Sequence, residues 1–138
     1  MPVKLHLLGG SGRIGRALVD SLVTYPLADL TAIQIYCDST KATTLQAHYT
    51  SSTSPRVTAT GYSAFSTISE PIRSPLADSE ITRHIVFNLR GINNKQRWLN
   101  QTLDSLELHV RSCRTLVDSD LWMEPGTEIF HFSSLLCN

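Results

Sequence analysis

The run LLGGSGRIGRAL, residues 7–18, places four glycines at Gly9, Gly10, Gly12 and Gly15. A main chain stripped of side chains lets a large anion come close and offers it amide donors. Gly9, Gly12 and Gly15 read G-x-x-G-x-x-G, and Gly10, Gly12 and Gly15 also satisfy G-x-G-x-x-G. At a strand-to-helix turn each glycine has a task in holding a diphosphate. The first permits a tight turn, the middle one leaves room for the pyrophosphate, and Gly15 lets the helix pack closely. The helix that follows aims its free N–H groups and its positive dipole end at the anion. The dipole supplies only about 0.3–1 kcal/mol, so backbone hydrogen bonds must supply the rest. The side chain of Ser11 or Arg13 adds a phosphate contact. With Ile14 these residues complete the cofactor-binding candidate Gly9, Gly10, Ser11, Gly12, Arg13, Ile14 and Gly15. The competing reading is a glycine-rich turn that binds nothing.

An acidic residue about 20 positions beyond such a turn can accept from the hydroxyls of an adenosine ribose. Asp38 lies 23 positions after Gly15, just past the run IQIYC. A carboxylate there repels a 2′-phosphate and so favours NAD, with NADP the other possibility. Lys41 is the counterweight, because a cation at this place could take that phosphate. The structural alternative is that Asp38 caps the turn or helix at DSTK, a task Asp performs well.

These residues need elements to hold them. VKLHLL (Val3–Leu8) is an apolar run broken only by Lys4 and His6, as in a strand covered on both faces. Arg13–Thr24 follows with a helical stripe of Ile14, Ala17, Leu18, Leu22 and Val23, and Pro26 lies at or beyond its end. Thr31–Tyr36 reads as a second strand, Lys41–Tyr49 as a short helix and Arg56–Thr60 as a third strand. Residues 61–80 are loop-rich, with a helical turn expected near 76–83. His84–Leu89 is a fourth strand, Asn94–Arg114 a long helix and Glu128–Ser133 a fifth strand. Strands alternating with helices imply α/β architecture. The expected fold is a doubly wound parallel sheet of about five strands in order 3-2-1-4-5, flanked by helices, in the Rossmann manner.

The chain of 138 residues suits one domain. Twelve basic and twelve acidic residues cancel, so nothing attracts nucleic acid or an anionic membrane. No apolar stretch approaches the length of a membrane span. Cys37, Cys113 and Cys137 form no C-x-x-C pair, and the histidines show no zinc-ligand spacing, so no metal is expected. Free thiols and the lack of a signal-peptide layout point to a reducing cytoplasm.

The turn GGSGRIG after VKLHLL resembles the extended short-chain dehydrogenase/reductases, the NAD-dependent epimerase/dehydratase family of nucleotide-sugar enzymes. Asp38 after the second strand, HIVFNLRG at the fourth and IFHFSS at the fifth continue the resemblance over nearly the whole chain. The resemblance implies that the loop Asn88–Gly91, with Leu89, Arg90 and Gly91, runs beside the pyrophosphate and the nicotinamide ribose. It also implies that Ser134, with Ser133 the alternative, hydrogen-bonds the substrate's reacting oxygen; plain strand-end polarity is the competing account of both serines.

Three positions depart from the family pattern. Gly61-Tyr62-Ser63 stands where an acidic residue is usual, and Leu89-Arg90 is bulky where small residues are usual. The family's acid/base pair is a Tyr with Lys four residues on, yet none of Tyr25, Tyr36, Tyr49 and Tyr62 has Lys at that spacing. The resemblance therefore implies a single NAD(P)-binding domain over residues 1–138, lacking the catalytic helix and the C-terminal substrate domain. Such a piece of an epimerase/dehydratase-like oxidoreductase binds cofactor, with a nucleotide sugar as possible further partner, and is inactive alone. The resemblance further implies that the helix Asn94–Arg114 contributes to dimers, so self-association is expected. The alternative function is a non-catalytic module that senses NAD(P) or binds a protein partner.

Overall fold

The computed structural model describes residues 2–61, 81, 83–89 and 126–131. Five parallel strands form one sheet: β1 (Val3–Leu8), β2 (Leu30–Cys37), β3 (Arg56–Gly61), β4 (Arg83–Asn88) and β5 (Thr127–His131), in the order β3-β2-β1-β4-β5. Helix α1 (Arg13–Thr24) follows β1, and α2 (Ser39–His48) follows β2. The expected order is thus the observed one. The expected helix Asn94–Arg114 lies outside the described residues, as does most of the helical turn near 76–83. Arg83, at the end of that turn, is instead the first residue of β4, aligned with Val3 and ion-paired to Glu128 of β5.

Boundaries shift for local reasons. The α2 helix starts at Ser39 rather than Lys41, because the Asp38 carbonyl accepts from the amides of both Lys41 (3.0 Å) and Ala42 (2.8 Å). The α1 helix ends before Pro26, closed by the Tyr25 amide donating to the Ser21 carbonyl at 2.8 Å. β2 gains Leu30 and Cys37 from pairing with Val3 and Gly61, a cross-strand effect that no local window contains.

One sheet face carries the apolar core. Leu5 and Leu7 of β1, Ile33 and Ile35 of β2 and Val57 of β3 meet Val19 of α1, Ala42 and Leu45 of α2 and Tyr49, which caps α2 at its carboxyl end. Burial of each such aliphatic side chain contributes roughly 1.5–3 kcal/mol. Tyr49 also donates its hydroxyl to Asp20, tying the two helices together.

The opposite face of the same strands is also buried, and there polar side chains stand among Leu8, Ala32, Tyr36 and Val86. Lys4, His6, Gln34, His84 and Asn88 all lie there, none more than 8% exposed. Buried polar groups persist only when paired, and His6, His84 and Gln34 pair across strands. His6 Nε2 lies 3.1 Å from His84 Nδ1, and His6 Nδ1 lies 3.3 Å from the Tyr36 hydroxyl. The Gln34 carboxamide donates to Thr60 Oγ1 at 2.7 Å and accepts from the Thr58 hydroxyl. Burial, then the nearby Lys4 and His84, push the His6 pKa down to about 3, so the ring is neutral. The two polar residues that break the VKLHLL run are two apart, and a strand places such residues on one face.

Candidate functional site

The glycine turn leaves the carboxyl end of β1, the central strand. Gly9 has φ 75°, in the left-handed region, so the chain reverses there at little cost. Its amide donates to the Tyr36 carbonyl at 2.9 Å, extending the β1–β2 ladder by one step. The tight turn therefore belongs to Gly9.

Gly10 and Gly15 are glycines because the protein itself leaves no space. A Cβ on Gly10 would lie 2.9 Å from Ile35 Cγ2 and 3.0 Å from Leu7 Cβ. A Cβ on Gly15 would lie 2.4 Å from the Gly10 carbonyl oxygen and 2.6 Å from Gly10 Cα. Helix α1 thus rests directly on the backbone of the turn.

Gly12 is different. It is exposed, its φ of −73° suits any residue, and among the described residues a Cβ there would meet only the Gly9 oxygen, at 3.7 Å. It is the N-cap of α1, a position where Ser, Thr, Asp or Asn would satisfy a free amide. With glycine instead, no side chain caps the helix. The first helical bond runs from the Arg16 amide to the Gly12 carbonyl at 3.0 Å, which leaves the amides of Arg13, Ile14 and Gly15 without helical acceptors. The first turn holds no acidic residue and begins with Arg13, whose side chain is exposed. Ser11 is half-buried, and Ile14 is 64% exposed beside the turn. The whole arrangement favours an anion.

Asp38 stands at the carboxyl end of β2, next to β1, on the same sheet edge as the turn. It occupies the N-cap position of α2, but its side chain makes no capping hydrogen bond and is exposed. The carboxylate is available to a ligand even though the residue also begins a helix. Lys41, one turn further on, is exposed. Cys37, one residue earlier, is buried, and burial pushes its thiol pKa up, so it is a poor nucleophile.

Leu89 closes the other flank. Its amide donates to the Leu8 carbonyl at 2.9 Å, and its side chain packs against the core. It brings the end of β4 beside the end of β1. Arg90, Gly91, Tyr62, Ser133 and Ser134 lie outside the described residues. Sequence reasoning missed one contact on this edge. A Cβ on Gly61 would lie 2.6 Å from both Cα and Oγ of Ser39, so β3 ends directly against the start of α2, beside Asp38. The glycine that closes RVTATG was the available signal.

No family model matches the sequence, and no curated protein matches it. Solved structures do match the fold. A short-chain dehydrogenase/reductase from Saccharomyces cerevisiae superposes with a TM-score of 0.69 over 100% of this chain and 55% of its own, at 17% identity. The putative carbonyl reductase Sniffer of Caenorhabditis elegans gives 0.65 over 99% of this chain and 65% of its own, at 15% identity. The dTDP-glucose 4,6-dehydratase of Bacillus anthracis, solved in complex with NAD, gives 0.63 over 96% of this chain and 37% of its own, at 12% identity. The chain spans less than two thirds of the length of these proteins. It has the Rossmann-like fold of short-chain dehydrogenase/reductase and epimerase/dehydratase-type enzymes. Among the described residues no helix is long and apolar enough to cross a membrane.

Proposed function

We propose that this chain binds a nicotinamide dinucleotide through the turn Gly9–Gly15, as the nucleotide-binding part of an epimerase/dehydratase-like oxidoreductase. The observation that carries the reading is Gly12. The described residues around it would admit a side chain, and a ligand that must come close to the bare backbone accounts for the glycine. In this reading the pyrophosphate accepts from the uncapped amides at the start of α1, with Arg13 as added charge. The Asp38 carboxylate accepts from the ribose hydroxyls, which selects NAD over NADP.

By the family resemblance we assign Leu89, Arg90 and Gly91 a role in cofactor binding, and Ser134, with Ser133 the alternative, a hydrogen bond to the substrate's reacting oxygen. The hydride chemistry belongs to the bound dinucleotide; these residues bind and orient it. We assign residues 1–138 to a single domain. It has no Tyr with Lys four residues on, so it binds cofactor without turning over a nucleotide sugar by itself. That the solved neighbours include a dehydratase in complex with NAD supports the choice of ligand.

Titration calorimetry with NAD, NADH, NADP and NADPH tests the proposal. Binding of NAD or NADH in preference to the phosphorylated pair is expected. Flat traces with all four ligands would overturn it, and robust oxidation of a nucleotide sugar by the chain alone would overturn the assignment as an inactive part.

A further inference from the structure

Strand β3 ends the sheet, and among the described residues one side of its backbone has no strand partner. On that side stands the side chain of Gln46, from α2. Its Oε1 accepts the Ala59 amide at 2.9 Å, and its Nε2 donates to the Val57 carbonyl at 3.4 Å. A carboxamide has the donor and acceptor of a peptide group, and here it uses both, on the two positions where the next strand would pair. One step earlier the preceding loop bends back, and Thr53 bridges Arg56 in antiparallel fashion. An open groove of ≈ 670 Å³ between α2 and β3 gives this edge access to solvent.

We propose that Gln46 guards the β3 edge against pairing with a second copy of this chain. An uncovered edge is a template for another strand. The partner always at hand is the same edge of another molecule, since two identical edges can pair antiparallel about a two-fold axis. Val57 and Ala59 would be the groups exchanged, and Gln46 already holds both.

Sedimentation velocity across a concentration series tests this on the wild type, Gln46→Ala and Gln46→Ala/Ala59→Pro, with amide hydrogen exchange read at Ala59. Gln46→Ala should add one association step, doubling the mass relative to the wild type at the upper concentrations. In dilute solution its Ala59 amide should exchange about tenfold faster than in the wild type, as expected for a lost hydrogen bond, and slow again when concentrated. Ala59→Pro removes the outward donor, which edge positions tolerate, and should restore the wild-type mass. A folded Gln46→Ala that sediments as the wild type throughout would overturn the proposal. So would a folded double variant that associates as strongly as the single one. Should the proline variant not fold, concentration-independent exchange at Ala59 in Gln46→Ala is the overturning result.

Discussion

Gly15 sits so close to Gly10 that the Cβ it lacks would lie 2.4 Å from the Gly10 carbonyl oxygen. The obstacle is main chain, which cannot rotate away as a side chain can. Three residues earlier, a Cβ on Gly12 would have nothing among the described residues nearer than 3.7 Å. Two glycines of one motif therefore answer to different causes, and substitution separates them.

Gly15→Ala should destabilise the protein by about 3 kcal/mol, the range of an overpacked core. Gly12→Val should cost no more than about 1 kcal/mol, the scale of a changed N-cap, while weakening NAD binding at least about tenfold. Urea denaturation and calorimetry on the two variants check both halves. A folded Gly12→Val that binds NAD as tightly as the wild type would end the case for a diphosphate at this turn.

Asp38→Asn should leave stability within about 0.5 kcal/mol, since the carboxylate caps nothing in the protein. Loss of charge-assisted bonds to the ribose should weaken NAD by about 1.5–3 kcal/mol and narrow its advantage over NADP. Unchanged NAD affinity by calorimetry would remove Asp38 from the site.

His6 makes stability sensitive to acid. Its pKa is about 3 in the fold against an ordinary 6.5, so below pH 6.5 the unfolded chain takes up a proton that the native protein refuses. Stability should fall as pH drops from about 6.5 towards 3, by up to about 1.4 kcal/mol per pH unit from this group. Urea midpoints at pH 7, 6, 5 and 4 measure the slope, and His6→Asn should flatten it. Equal slopes in both proteins would show that the ring is not the cause.

Tyr49 acts at the other end of the scale. Burial, followed by the hydrogen bond and charge of Asp20, raises its pKa to about 12. Stability from this group is complete below its ordinary pKa of 10 and is lost as pH rises towards 12. Tyr49→Phe should cost about 1 kcal/mol at pH 7 through the bond to Asp20. The gap between variant and wild type should narrow in thermal melts above pH 10.

The order of elements, the parallel sheet and the placing of the glycine turn and Asp38 on one edge were legible in the residues. The reason is that these features follow from local periodicity and from turn chemistry, which are short-range. A helical stripe over Arg13–Thr24, Pro26 beyond it and glycines after VKLHLL each act within a few residues. Asp38 could be read two ways from DSTK, as a cap or as a ligand contact. Only the fold settled that its backbone starts α2 while its carboxylate makes no capping bond. Likewise three glycines of identical chemistry became a left-handed turn at Gly9, a backbone contact at Gly15 and open space at Gly12, because what surrounds a missing Cβ comes from distant parts of the chain. The polar ladder of His84, His6 and Tyr36 and the Gln46 carboxamide on β3 belong to the same class. They join residues between 11 and 78 positions apart, and strand pairing brought those residues together.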